Sequence, residues 1–126
     1  IKAPGLGAEV ATLSGGNQQK VVIGKWLELA PRVLLLDEPT RGVDVGAKAE
    51  IYALIEELTK RGHAVVLASS DLPEIVRLAD RVFVLREGTL AGELAGADIT
   101  SLRIMQLGVG TIAAAVARGA LGEARA

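Results

Sequence analysis

The run Val33-Leu34-Leu35-Leu36 stops abruptly at Asp37-Glu38-Pro39, and this junction constrains the fold more than any other stretch of the chain. An uninterrupted apolar run of that length suits a fully buried strand of a parallel sheet. A helix follows from about 46 to 60, with Ile51, Leu54, Ile55 and Leu58 on one face and Arg61-Gly62 closing it. Residues 64 to 68 read as a second buried strand. Strand, helix, strand and helix in succession imply an α/β layered sheet, in which ligands gather at the C-terminal strand tips. Asp37-Glu38 and Ser69-Ser70 both stand at such tips.

Upstream of the first strand, Ser14-Gly15-Gly16 opens a helix that the periodicity carries from 14 to 30. Ser14 is its N-cap, Val22, Ile23, Trp26, Leu27 and Ala30 form its apolar face, and Pro31 ends it. Downstream, Asp71-Leu72-Pro73-Glu74 has the form of a capping box with Pro in the first turn, so a short helix reaches about Ala79. Residues 81 to 93 read as a hairpin turning at Glu87-Gly88. The organisation expected is one domain over 1 to 108, with the Ser14-capped helix (14 to 30), a strand tip and following loop (33 to 44), a strand and short helix (64 to 80) and the hairpin (81 to 93). Residues 109 to 126 are Ala/Gly-rich with weak periodicity and are expected to form an unstructured tail.

Composition narrows the function. Fourteen Lys+Arg against fifteen Asp+Glu leave a net charge of -1, without the basic excess that a backbone-driven nucleic-acid binder needs. Trp26, Tyr52 and Phe83 stand singly, so no platform exists for stacking bases or sugar rings. Cysteine is absent, which removes disulfides, thiolate chemistry and Cys-based metal sites. The apolar stretch from Gly108 to Ala117 is broken by glycines and falls short of the roughly 20 residues that span a bilayer. The start at Ile1 lacks both an initiating Met and the order of a signal peptide, so the chain is expected to be a segment of a longer one.

Three elements carry the chemistry: Leu13-Ser14-Gly15-Gly16-Asn17-Gln18, then Asp37-Glu38-Pro39-Thr40, then Gly42-Val43-Asp44. A hydroxyl and glycine amides at a helix N-terminus form a site for a phosphate, although Ser-Gly-Gly before a helix also reads as a plain cap and turn. Asp37 and Glu38 have a plain alternative too, as solvated carboxylates at the end of a strand. The four apolar residues before them weigh against it. A carboxylate at a buried strand tip can hold Mg²⁺ through its waters, and the next residue, pointing elsewhere, can orient or deprotonate an attacking water. Asp37 is therefore the metal candidate and Glu38 the candidate base. His63, at the opposite end of the second strand, is expected to be a solvated turn residue.

In this order and at this spacing the motifs resemble those of an ATP-binding-cassette (ABC) ATPase. The stretches 13 to 20 and 37 to 48, together with Ser69-Ser70-Asp71-Leu72-Pro73-Glu74, are similar to the second nucleotide-binding half of ribose, galactose and xylose type import ATPases. The resemblance covers about residues 8 to 108. It implies part of a P-loop NTPase fold, with Ser14, Gly15, Gly16, Asn17 and Gln18 as the signature loop, Asp37 and Glu38 as the Walker B pair and Asp44 as the D-loop aspartate. It implies ATP and Mg²⁺ as cofactors and a head-to-tail partnership with another nucleotide-binding half. In that arrangement Ser14 and Gly16 reach the γ-phosphate on the partner, while Asp37 and Glu38 serve their own half. It further implies transmembrane permease subunits and, indirectly, a periplasmic sugar-binding protein, with the ATPase peripheral at the cytoplasmic face of the bacterial inner membrane.

The sequence departs from the family pattern twice. No G-x-x-x-x-G-K-[ST] phosphate loop occurs in these residues, so they are expected to bind ATP poorly and to be inactive by themselves. Where most ABC ATPases carry a histidine against the γ-phosphate, Ser70 stands here. A serine cannot bring positive charge to a developing phosphoryl transition state. The expectation is an asymmetric pair in which Ser14 completes a working site on the partner and the site of Glu38 is slow or silent. Two alternatives remain: a non-catalytic half that serves as a nucleotide-dependent dimerisation or regulatory partner, and an ABC ATPase outside transport.

Overall fold

The computed structural model describes residues 3–108 and 113–117. Helix α1 (Gly15–Leu27) leads into strand β1 (Val33–Asp37), helix α2 (Val45–Lys60), strand β2 (Ala64–Ser69) and helix α3 (Leu72–Leu78). The hairpin of β3 (Arg81–Arg86) and β4 (Thr89–Ala95) follows, then helix α4 (Ser101–Leu107) and strand β5 (Ala113–Ala117). The sheet order is β1-β2-β5-β3-β4. β1 and β2 are parallel, with Leu34 opposite Val65 and Asp37 opposite Ala68. β5 runs antiparallel to both β2 and β3, so those two are parallel to each other across it. The architecture is α/β, a sheet with flanking helices and an antiparallel hairpin.

Each helix starts at a side-chain cap that satisfies an otherwise orphaned backbone N–H. The Ser14 hydroxyl accepts from Asn17 N, Asp44 from Ala47 N, Asp71 from Glu74 N and Thr100 from Arg103 N. α1 ends three residues before the reach of its periodicity. Ala30 lies outside it at φ 48°, and Pro31 disfavours the right-handed helical conformation for the residue before it. The core joins one face of α2 (Ile51, Ile55, Leu58) to Val65 and Leu67 of β2, Ile75 and Leu78 of α3 and Val82 and Val84 of β3. Each such side chain contributes about 1.5–3 kcal/mol through burial.

Five expectations are corrected. β1 is an edge strand with alternating burial: Leu34 is buried, but Leu35 is 77% exposed and Val33 is exposed too. No described strand pairs with its outer edge. β2 likewise alternates, with Val65, Leu67 and Ser69 inward and the residues between them half-buried. On the apolar face of α1 only Ile23 is buried, while Val22 and Trp26 are exposed along an apolar cleft of about 420 Å³ shared with β1. The tail expected over 109 to 126 is unlike its description where it is described: 113–117 form β5 inside the sheet, and the remainder lies outside the described residues. The hairpin extends to Ala95 rather than Glu93.

Candidate functional site

The candidate residues fall into two groups. At the N-terminus of α1, Ser14 and Gly15 are exposed and Gly16 is buried. The Ser14 oxygen accepts from Asn17 N at 3.3 Å, which uses a lone pair and leaves the hydroxyl proton to donate. Gln18 secures the incoming chain, its Nε2 donating to Leu13 O at 2.9 Å. Gly16 lies so close to α2 that an added Cβ would overlap Ala47 Cβ. The N-termini of α1 and α2 thereby converge on a cavity of about 250 Å³ lined by Ser14, Asn17, Asp44 and the ion-paired Lys20 and Glu50. The cap takes the Asn17 N–H and leaves those of Gly15 and Gly16 outside it, so a side-chain cap and an anion-binding helix N-terminus are compatible here.

The second group stands at the tips of β1 and β2. Asp37 is exposed and Glu38 half-buried. Glu38 leaves the strand at φ 47°, a left-handed conformation that costs a non-glycine residue roughly 1–2 kcal/mol. Three bonds hold it there: Glu38 N donates to Ala68 O at 2.7 Å, Arg41 N donates to Glu38 O at 3.1 Å, and Ser70 N donates to Glu38 Oε1 at 2.9 Å. The strain turns the Glu38 side chain away from Asp37 and toward the β2 tip, so adjacent carboxylates serve different places. Among the described residues no hydrogen bond to Oε2 accompanies the one from Ser70 N. Ser70 meets the Glu38 carboxylate through its backbone N–H, and its side chain is exposed.

Beneath this exposed pair lies a polar cluster that the motifs do not announce. Glu74 is completely buried, and its carboxylate accepts from Thr40 Oγ1 at 2.7 Å and from the Ser69 hydroxyl. The D-x-x-E pattern assigns Glu74 to a local cap, but the Asp71 backbone N–H goes instead to Ser69 Oγ at 3.0 Å. The available signal was chemical: Thr40, two residues past Glu38, and Ser69, next to Ser70, are hydroxyl donors that need an acceptor once buried. Around the cluster, Lys48 Nζ donates to Asp71 Oδ2 at 2.8 Å. That bond holds the Asp71 carboxyl below its ordinary range and raises the Lys48 ammonium. Burial, with the Glu74 charge behind it, pushes the Tyr52 phenol up. His63 is half-buried rather than solvated, its Nδ1–H donating to Pro31 O at 2.7 Å at the far end of the strands.

Among the described residues no group of three or more His, Asp or Glu side chains forms a metal cage. Asp37, exposed at the strand tip, suits a hard cation that keeps most of its waters, as Mg²⁺ does. No described helix is long and apolar enough to cross a membrane.

Residues 2–41 match the family model described as ABC transporter. The chain is 60% identical over 110 residues to the ribose import ATP-binding protein RbsA of Bacillus licheniformis, covering 87% of this chain and 22% of that protein. It is 55% identical over 123 residues to the ribose import ATP-binding protein RbsA 2 of Burkholderia cenocepacia, covering 98% of this chain and 23% of the relative. The chain thus spans about a fifth of the length of these curated relatives. Its backbone is similar to that of MJ1267, an ATP-binding cassette of an ABC transporter, in the ADP conformation (TM-score 0.67, 25% identity, 76% of this chain and 40% of that one). Identity of this order along most of the sequence, carried on a cassette backbone, means that the chain belongs to the ABC transporter family.

Proposed function

We propose that the chain is part of the ATP-hydrolysing subunit of an ABC importer, energising uptake of a monosaccharide of the ribose type. The observation that carries this reading is the strand-tip geometry: Glu38 is turned out of β1 by its left-handed backbone, with one carboxylate oxygen held by Ser70 N–H and no hydrogen bond to the other among the described residues. In this reading ATP is the substrate, and a Mg²⁺ ion held through water by Asp37 supplies charge neutralisation at the phosphates. Glu38 orients the attacking water and takes its proton at Oε2. The Ser14 hydroxyl and the amides of Gly15 and Gly16 donate to the γ-phosphate of ATP on a partner half, with Asn17 holding the cap, Gln18 bracing the loop and Asp44 beside it. The names of the relatives support ribose import. The importer reading brings with it permease subunits, a sugar-binding protein and a peripheral place at the cytoplasmic face of the membrane.

Ser70 favours an asymmetric pair. Its N–H positions Glu38, but neither that N–H nor its hydroxyl carries the charge that a histidinium would bring to the transition state. Hydrolysis on this half is then the slower of the two. Steady-state ATP turnover of the intact importer tests the reading. Ser14→Arg, which blocks the trans contact, is expected to abolish turnover, and Glu38→Gln is expected to remove only the lesser share. A tenfold or greater loss in Glu38→Gln, about 1.4 kcal/mol or more in barrier, makes Glu38 a dominant base and overturns the asymmetry. Unchanged turnover in both variants overturns the ATPase reading.

A further inference from the structure

The Ser70 N–H to Glu38 Oε1 bond lies in solvent, where water competes for both partners and one neutral donor holds its acceptor weakly. Its geometry therefore depends on what fixes the two backbones behind it. Glu38 is followed two residues later by Thr40, 2% exposed, and Ser70 is preceded by Ser69, fully buried. One carboxylate joins them. Glu74 Oε1 accepts from Thr40 and Oε2 from Ser69, so each oxygen anchors one side of the exposed pair. Ser69 Oγ also accepts from Asp71 N, which sets the sharp turn that presents the Ser70 N–H.

We propose that Glu74 is a positioning residue: its buried carboxylate clamps the Thr40 and Ser69 hydroxyls together and thereby aims the Ser70 N–H at the Glu38 carboxylate. A carboxylate suits this task because it accepts at two oxygens and donates at none, so both hydroxyls must turn inward to it. Bonds to a charged acceptor are about twice as strong as neutral ones, and here they are shielded from water. Loss of the carboxylate leaves two buried hydroxyls without their acceptor and frees the two strand tips to move independently. The proposal rests on the reading of Glu38 as the base of its own half, but the clamp itself is measurable without hydrolysis.

The test is amide hydrogen exchange on the full chain, read at Ser70 and at the core-strand amides of Val65 and Leu67, in the wild type, Glu38→Ala, Glu74→Ala, Glu74→Gln and Thr40→Val. Glu74→Ala is expected to speed Ser70 exchange by roughly tenfold, to the level of Glu38→Ala, with Val65 and Leu67 unchanged. Glu74→Gln is expected to restore most of the protection, since its amide still accepts from one hydroxyl and donates to the other. Thr40→Val keeps the side-chain volume, stands in for Glu74→Ala should that variant fail to fold, and is expected to shift Ser70 in the same direction. Ser70 exchange that stays at the wild-type rate, or that rises in step with Val65 and Leu67, overturns the proposal. Turnover of Glu38→Gln reports on the ATPase reading separately and leaves the exchange result intact.

Discussion

At the scale of single residues, Gly16 carries two constraints that a motif reading merges. One is chemical, an unobstructed amide at the start of α1. The other is steric, because a Cβ there would overlap Ala47 Cβ where α1 meets α2. Gly16→Ala is expected to destabilise the fold by about 1–3 kcal/mol through overpacking, as measured by urea unfolding. Ala47→Gly in the same chain should return the lost packing, less roughly 1 kcal/mol for glycine within a helix. Additive losses in the double variant would show that the two side chains do not meet. Glu38 illustrates the opposite case, in which a residue tolerates an unfavourable backbone because three bonds specify it.

At the scale of elements, local signals and burial parted company. The caps at Ser14, Asp44 and Asp71 stand immediately before helices, and the Glu87-Gly88 turn has positive φ at both residues, as a tight hairpin turn demands. Helix α4 also had a legible start that the periodicity did not raise: Thr100 caps it between Ile99 and Ile104, both buried, at hydrophobic-staple spacing. β1 shows what a run of apolar residues leaves open. Its length marks a strand, but Leu34 and Leu35 are equivalent as letters and opposite in burial. Leu34→Ala is expected to cost about 2–5 kcal/mol in urea unfolding, whereas Leu35→Ser should stay within about 0.5 kcal/mol. Equal losses at the two positions would mean that the outer face of β1 is covered in the folded protein.

At the scale of the whole molecule, the Lys48–Asp71 pair ties the start of α2 to the start of α3 and gives stability a dependence on pH. The folded-state carboxyl of Asp71 is depressed by Lys48, so its contribution is present above the ordinary value of 3.8 and is lost as pH falls through the folded value. The Lys48 ammonium is raised, so its share is present below 10.5 and is lost as pH rises through the folded value. Unfolding of wild type and Lys48→Met should therefore differ most between these limits and converge as pH falls from 3.8 through the depressed Asp71 value. A difference that persists unchanged into acid would assign the effect of Lys48 to packing of its stem.

What the sequence determined by itself was the set of helices and strands out to the hairpin, their order, and the placing of carboxylates and serines at strand ends. Periodicity, caps and turn residues act within three or four positions, so they can be read along the chain. What only the tertiary structure decided was which face each element buries and what crosses between elements. β5 is the clearest instance: Ala113–Ala117 has little strand propensity of its own, and its conformation follows from the backbone donors and acceptors that β2 and β3 offer on either side. The clamp under the candidate site has the same origin. Glu38 and Ser70 are 32 residues apart and Thr40 and Glu74 are 34 apart, so their bonds exist only once the parallel pairing of β1 and β2 brings the strand tips together.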